Sequence, residues 1–235
     1  MLDLHTHILP AVDDGARTAE EGVALLRQMQ EQGVTAAVAT PHFFPGSMEL
    51  EDFLERRNAA LKELTAAGGD IQVKIIAGAE VLYFGGIGRF ENVRRLTVGG
   101  SRYLLLELLG VKAIDEKVIK DITDLGERLD IIPVIAHTER YCRYKGYRKL
   151  VSAIADGRAL CQINAGFSGS KPETRAVKKL LRRGLIDFIA SDCHSPVSRP
   201  VKIEAGIKAL RMISATATNA VIKKCNALEE ELNKL

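Results

Sequence analysis

Residues 3–15 read DLHTHILPAVDDG and continue from the first apolar residues of the chain. His5 and His7 stand where a dinucleotide-binding protein would carry a G-x-G-x-x-G loop after its first strand. Side chains two positions apart share one face of a strand, so both imidazoles can reach the same ion. Taken alone, the pair is equally compatible with two hydrogen-bonded polar residues at a strand end.

Seven short runs rich in Val, Ile and Leu have the composition of strands that are buried on both faces. They lie at residues 1–4, 34–40, 71–80, 103–109, 131–137, 159–165 and 186–192. Segments with helical spacing separate them, the first of which has a capping box from Thr18 to Glu21 and ends at Gly33. Further helices are predicted after residue 50 and at about 115–129, 145–157, 173–183, 202–212 and 214–233.

Repeated strand–helix–strand units either open into a doubly wound sheet or close into a barrel. Since the first strand is not followed by a glycine-rich loop, we predict an α/β fold in which seven parallel strands close into a barrel. The prediction places residues 1–235 in a single domain.

Polar or ionisable side chains end each predicted strand, and all five histidines of the chain are among them. In a parallel barrel the C-terminal ends of the strands open on one face, so these side chains are expected to converge. Imidazole and carboxylate ligands without thiolate suit Mn, Fe, Zn or Mg. Asn164 is expected to orient a ligand or a water rather than to bind metal. The set is His5, His7, His42, Glu80, Glu107, His137, Asn164, Asp192 and His194.

Six segments of the chain carry a family resemblance. In chain order they are DLHTHILP, DDG, TPHF, GAE, AHTERY and ASDCHS. Together they resemble the PHP (polymerase and histidinol phosphatase) superfamily. They are most similar to its capsule-biosynthesis protein-tyrosine phosphatases, over roughly residues 1–205. The resemblance implies a distorted seven-stranded (β/α)7 barrel of the PHP type. It also implies three divalent metal ions around an activated water. Mn2+ is the expected ion, with Fe, Zn, Co and Mg as alternatives.

Carried over by position, the resemblance also implies a set of metal ligands. The first ion would be held by His5, His7, Glu80 and Asp192. Glu80 would bridge to a second ion, which Glu107 and His137 would also bind. The third ion would be held by Asp14, His42 and His194. Asp13 is an alternative to Asp14, and either aspartate could instead favour the positive N-terminus of the next helix.

The activity implied is hydrolysis of phosphotyrosine in a bacterial tyrosine kinase that controls capsular or exopolysaccharide synthesis. The guanidinium of Arg140, close after His137, could bind phosphoryl oxygens bidentately. Arg199 is a second candidate, for which a surface ion pair is an equally good explanation. Two other classes stay open: a phosphoesterase for a small metabolite or a nucleotide end, and a non-catalytic regulator with a structural metal site.

The segment CRYKGYR contains a competing signal, because Cys142 and Arg148 have the C-x5-R spacing of cysteine-dependent tyrosine phosphatases. Such enzymes need small loop residues so that consecutive backbone N–H groups form an anion nest, whereas here the loop is bulky. We therefore favour the metal mechanism. The tyrosines and basic residues of 141–148 could form a rim for a phosphotyrosine peptide, although a solvated helix start is the preferred interpretation.

Composition excludes several classes of protein. The 33 basic and 30 acidic residues nearly balance, so a nucleic-acid partner is not expected. The four cysteines are widely spaced and do not suggest a disulfide framework. Neither an export signal nor an apolar run that could insert in a membrane is visible, so a cytoplasmic location is expected.

Overall fold

The computed structural model describes residues 1–167 and 170–235. Strands and helices alternate along this part of the chain, nine strand segments with seven α-helices. The strands are β1 (Leu2–Thr6), β2 (Ala36–Ala39), β3 (His42–Phe43), β4 (Lys74–Ala77), β5 (Glu80–Leu82), β6 (Tyr103–Glu107), β7 (Ile132–Ile135), β8 (Leu160–Asn164) and β9 (Phe188–Ala190). The helices are α1 (Ala19–Glu31), α2 (Leu50–Ala67), α3 (Glu116–Leu129), α4 (Tyr147–Ala155), α5 (Lys171–Arg182), α6 (Ile203–Arg211) and α7 (Ala215–Leu232).

The strand pairs are parallel and form a curled sheet. Strands β1, β2 and β4 pair in one part, and β3, β5, β6, β7, β8 and β9 in the other. The last strand curls back to the first: Asp192 N–H donates to the His5 carbonyl, and His7 N–H donates to the Cys193 carbonyl, both at 2.9 Å. The curl brings residues that are almost 190 positions apart in sequence onto one rim.

The observed nine strand segments differ from the seven predicted strands at two places. The run 34–40 contains only β2, and a further short strand, β3, begins just after Pro41, which has no N–H to donate to a ladder. The run 71–80 is divided into β4 and β5 beside Gly78, where a Cβ would lie 2.8 Å from Cγ1 of Val38. The two breaks are adjacent, since Gly78 N–H donates to the Ala39 carbonyl at 2.9 Å.

A second difference concerns the regular strand–helix repeat, because β5 is followed by 3-10 turns instead of an α-helix. The turns span Ile87–Arg89, Glu91–Leu96 and Val98–Gly100. This segment is rich in glycine, which disfavours an α-helix. Gly88 also allows close packing on α3, because a Cβ at this position would lie 2.5 Å from Cβ of Asp124.

The helix ends follow the sequence signals closely. Thr18 caps α1 by accepting from Glu21 N–H, and Gly33 just beyond its end has φ +76°. The C-terminal helix α7 lies against β1 and β9 and buries Val221, Cys225, Leu228 and Leu232. Within the described residues, the helices are all too short or too polar to cross a membrane.

Candidate metal centre

The C-terminal ends of the strands open into a cleft of about 430 Å³. His5 and His7 lie beneath its floor and are almost fully buried. The other predicted ligands line it together with both predicted phosphate-binding arginines. These lining residues are Asp14, His42, Glu80, Glu107, His137, Arg140, Asp192, His194 and Arg199.

The first cluster lies where β1, β5 and β9 meet. Nε2 of His5 and Nε2 of His7 are 3.1 Å apart. Oε2 of Glu80 lies 3.1 Å from the first nitrogen and 3.3 Å from the second. Oδ1 of Asp192 lies 3.6 Å from each nitrogen. His5, His7 and Glu80 therefore form a compact ligand group, and Asp192 lies beside its two imidazoles.

Glu80 extends this cluster towards a second one. While Oε2 faces His5, its other oxygen, Oε1, lies 3.0 Å from Nε2 of His137. Oε1 of Glu107 is 3.3 Å from the same nitrogen. Because its two oxygens face different histidines, the Glu80 carboxylate has the geometry of a bridging ligand.

A third cluster joins the loop after β1 to the ends of β3 and β9. Oδ1 of Asp14 lies 3.5 Å from Nε2 of His42 and 3.4 Å from Nε2 of His194. Asp13 points the other way, with Oδ2 2.7 Å from Nδ1 of His7 and its two oxygens accepting from Gly15 N–H and His42 N–H. The two aspartates thus occupy different places, Asp14 in the cluster and Asp13 behind His7.

In three of the histidines, the Nδ1 atom has a polar partner that fixes the orientation of the ring. Nδ1 of His5 lies 3.2 Å from Oε1 of Gln162, and Nδ1 of His194 lies 3.1 Å from the carbonyl of Asp192. Nδ1 of His137 is 3.2 Å from the Tyr141 hydroxyl. If Nδ1 donates in these contacts, Nε2 keeps its lone pair towards the cleft, as a metal ligand requires.

The surroundings of His42, His194 and Asp192 set the protonation states of these three side chains. Burial and the nearby His7 lower the pKa of His194 to about 3, and the same influences lower that of His42. Burial raises the pKa of Asp192, but His5, His7 and Arg140 outweigh it and hold that pKa well below its usual value. The imidazoles of His42 and His194 are therefore neutral and the Asp192 carboxylate is ionised near neutral pH, as metal ligands must be.

Three buried polar atoms of the centre have no hydrogen-bond partner among the described residues: His42 Nδ1, Glu107 Oε2 and His194 Nε2. Leaving such atoms unpaired in a protein interior costs about 1–3 kcal/mol each. Ligand groups are formed by His7 with Asp14, His42 and His194, by His5 with His7 and Glu80, and by His42 with Glu80 and Glu107. These side chains therefore suit a cluster of divalent cations.

Comparison with known proteins agrees with this chemistry. Residues 1–229 match the family described as "Capsular polysaccharide synthesis, CpsB/CapC". The chain belongs to the CpsB/CapC family.

The chain is similar to two named relatives and to one solved structure. The chain is 32% identical over 211 residues to "Tyrosine-protein phosphatase CpsB" of Streptococcus pneumoniae, covering 85% of each. It is 30% identical to "Tyrosine-protein phosphatase YwqE" of Bacillus subtilis, covering 85% of this chain and 79% of the relative. The fold matches a crystal structure from the work on YwqE and CpsB, described as unique metal-dependent tyrosine phosphatases, with a TM-score of 0.73, 25% identity and 94% coverage of both chains.

In this CpsB/CapC protein both predicted arginines reach the centre. Nη2 of Arg140 lies 2.5 Å from Oδ2 of Asp192, and Nη2 of Arg199 lies 3.1 Å from Oδ1 of the same residue. Arg199 therefore pairs inside the cleft rather than only with a surface carboxylate. Both side chains keep about two-fifths of their surface exposed, so part of each guanidinium faces the cleft.

The cysteine signal of the sequence finds little support in the geometry. Cys142 lies on the 3-10 turn Thr138–Arg143 and is not among the residues that line the cleft. Burial raises the pKa of its thiol, which is the opposite of what a nucleophilic cysteine needs.

The suggested aromatic rim is wrong for Tyr141. This side chain is 1% exposed, and its hydroxyl accepts from Leu108 N–H at 2.9 Å while contacting His137. Tyr141 is therefore a positioning residue for a predicted ligand, not a peptide contact.

Gln162 is the residue of the centre that sequence reasoning missed. Its Oε1 accepts from His137 N–H at 2.7 Å and faces His5, while its amide nitrogen donates to Asn164 at 3.0 Å. Asn164 in turn donates to Oδ2 of Asp192 at 2.6 Å, the kind of contact that its predicted orienting role requires. The signal was present in the sequence, since Gln162 shares a strand face with Asn164 inside an apolar run.

Backbone conformation also directs the ligands. His137 and Asp192, just beyond β7 and β9, have φ values of +30° and +51°. Such values are rare for residues other than glycine and concentrate at functional sites. Gly15 of the DDG segment has a steric reason, because a Cβ there would lie 2.2 Å from the carbonyl oxygen of His7.

Proposed function

We propose that this protein is a metal-dependent phosphatase that hydrolyses phosphotyrosine in a bacterial tyrosine kinase controlling polysaccharide synthesis. The observation that carries the proposal is the set of three overlapping ligand clusters at the base of a cleft that also contains Arg140 and Arg199. Membership of the CpsB/CapC family and the names of its relatives support the substrate class.

The proposal includes three divalent ions, with Mn2+ expected and Fe, Zn, Co or Mg as alternatives. Divalent ions supply such a reaction with a water of lowered pKa and with neutralisation of charge on the phosphoryl oxygens. The proposed ligand sets are His5, His7, Glu80 and Asp192; Glu80, Glu107 and His137; and Asp14, His42 and His194. The distances within each cluster support this division. His42 in addition places Nδ1 3.1 Å from Oε2 of Glu80, which links the third set to the first two.

The chain's own side chains would then bind and orient the ester. Arg140 and Arg199 would exchange part of their contact with Asp192 for hydrogen bonds to phosphoryl oxygens, which attract a planar guanidinium fork strongly. The phenol of tyrosine has a pKa of about 10, so its phenolate is a better leaving group than an alkoxide. Hydrolysis of a tyrosine ester therefore needs little help from a protein acid, and Cys142 has no part in the proposal.

We further propose that the nine strand segments correspond to the seven strands of a distorted (β/α)7 barrel of the PHP type, within one domain of residues 1–235. The support is that β3 follows β2 directly and β5 follows β4 directly, so that each pair can count as one interrupted barrel strand. Hydrogen bonds between the residues just beyond β9 and the end of β1 support closure.

The test is phosphate release from three substrates: a phosphotyrosine peptide, histidinol phosphate and a 5′-phosphorylated oligonucleotide. Purified protein is assayed as isolated, after chelator treatment and after reloading with Mn2+. We expect preference for the peptide, loss of activity with chelator and recovery with Mn2+. Metal-dependent activity on another substrate alone would refute the substrate class, and activity indifferent to chelator would refute the metal mechanism.

A further inference from the structure

The cleft is lined by two chemically different groups of side chains. One group is the clustered ligands with Arg140 and Arg199, and the other is a set of apolar side chains accompanied by Ser47 and Arg56. The apolar lining consists of Val12, Phe43, Phe44, Met48, Phe53 and Leu109. Hydrolysis of a phosphate ester needs only the first group, so the apolar lining requires its own explanation.

Most of the apolar lining belongs to the protein core. Phe43 and Phe53 are 4% and 3% exposed, and their ring centroids are 5.0 Å apart. Phe44 and Leu109 differ, because they remain 41% and 55% exposed at the cleft. Large apolar side chains that line a binding cleft and stay accessible are available for ligand contact.

Phe44 is held in place at the mouth of the cleft. Its ring stacks on that of His42, with centroids 5.1 Å apart and an interplanar angle of 19°. Its carbonyl accepts from both the backbone N–H and the hydroxyl of Ser47, in a turn that includes Gly46 at φ +83°. The ring is therefore fixed beside a proposed metal ligand before any substrate arrives.

Leu109 occupies the corresponding place beyond another strand. Phe44 follows His42 by two residues at the end of β3, and Leu109 follows Glu107 by two residues at the end of β6. Both strands run parallel to β5, which lies between them and carries Glu80. The two side chains thus stand beyond the ligands, on the outer part of the cleft.

We propose that Phe44 and Leu109 are specificity-determining residues that bind the phenyl ring of an aryl phosphate monoester, with Phe44 stacking on the ring. This inference rests on the proposed phosphatase function. When the phosphoryl group sits at the ligand clusters, the ester substituent must extend outwards past these two side chains. A phenyl ring covers them and gains aromatic contact with Phe44, whereas the single methylene of a serine phosphate reaches neither.

The test compares an aryl with an alkyl ester on the same peptide sequence, phosphotyrosine against phosphoserine. For Phe44→Ala we expect kcat/KM on phosphotyrosine to fall about tenfold, mainly through KM, as expected for loss of one aromatic pair with its buried area. Activity on phosphoserine and metal content should not change. Phe44→Tyr should retain wild-type kinetics, and Met212→Ala, an exposed apolar residue that is not part of the cleft lining, is the matched control.

Binding of non-hydrolysable ligands separates this inference from the proposed function. Wild-type protein loaded with Mn2+ should bind benzylphosphonate more tightly than methylphosphonate by calorimetry, and Phe44→Ala should lose most of that difference. Equal affinity of the wild type for both phosphonates would overturn the inference, whatever the turnover assays give. A parallel fall of aryl and alkyl activity in Phe44→Ala would also overturn it, by showing that the ring only supports His42. Failure to hydrolyse any ester, with the preference for benzylphosphonate intact, would instead refute the phosphatase function.

Discussion

Oδ2 of Asp13 lies 2.7 Å from Nδ1 of His7, and this contact separates the functions of two consecutive aspartates. A carboxylate behind an imidazole fixes the ring and increases its basicity as a ligand. Burial lowers the pKa of His7, but the hydrogen bonds and charges of Asp13 and Glu80 outweigh it and raise that pKa to about 10. Asp14, which is 64% exposed, instead turns its oxygen towards His42 and His194.

We therefore expect different losses from the two aspartates. Asp13→Asn should keep the number of bound ions but weaken metal affinity about 10- to 100-fold, as for other residues that orient ligands. Asp14→Ala should bind one ion fewer. Elemental analysis after dialysis gives the stoichiometry, and competition with a chelating dye gives the affinity. The reverse pattern would exchange the two roles.

Gln162 should matter for both stability and metal binding. Gln162→Leu removes the acceptor for His137 N–H and the partner of His5, so metal-free protein should lose about 2 kcal/mol in urea unfolding. Metal affinity should fall as well, because two ligands lose their orientation. Gln28→Leu is the matched control, since Gln28 also bonds two backbone groups, at Pro196 and Val201, but contacts none of the proposed ligands. Equal effects of both variants on metal affinity would contradict the positioning role.

Cysteine chemistry and metal chemistry make opposite predictions. Cys142→Ser should leave phosphatase activity and metal content unchanged, because the thiol has a raised pKa and is not part of the cleft lining. His5→Ala and Asp192→Ala should each abolish activity together with metal content. An inactive Cys142→Ser protein that keeps its metals would show that the mechanism proposed here is wrong.

Arg140 should act on the phosphoryl group more than on metal binding. Arg140→Ala is expected to lower kcat/KM about 100-fold, comparable to the loss of one strong transition-state donor. Arg140→Lys should restore only part of this, because an ammonium lacks the planar fork. Arg143→Ala, an exposed arginine on the same 3-10 turn, serves as the control. Metal content must be measured in parallel, since Arg140 contacts Asp192; unchanged kinetics would remove Arg140 from the site.

Local patterns were sufficient to locate most elements of this protein. The apolar runs ending in polar residues placed the strands and the rim on which the candidate ligands lie, because side-chain period and burial are local properties. The helix ends at Thr18 and Gly33 were predictable for the same reason, since caps involve neighbouring residues. The C-terminal helix was expected at about 214–233 and is found at Ala215–Leu232.

Predictions failed where a distant contact decided the outcome. The break between β4 and β5 depends on how closely Gly78 approaches Val38 from the neighbouring strand. Tyr141 resembles a surface residue in its basic, aromatic segment, yet the fold buries it against His137. The importance of Gln162 depends on His5 and His137, which are far from it in the chain.

The sequence by itself determined the type of site, a histidine and carboxylate centre at the carboxyl ends of parallel strands, because residue type and strand direction are encoded locally. Only the tertiary structure decided how that centre is divided. Asp13 and Asp14 have the same side chain and adjacent positions, yet Asp13 contacts His7 within its own segment, whereas Asp14 faces His42 and His194, which the curled sheet brings from distant parts of the chain. The third cluster therefore exists only once the last strand has reached the first.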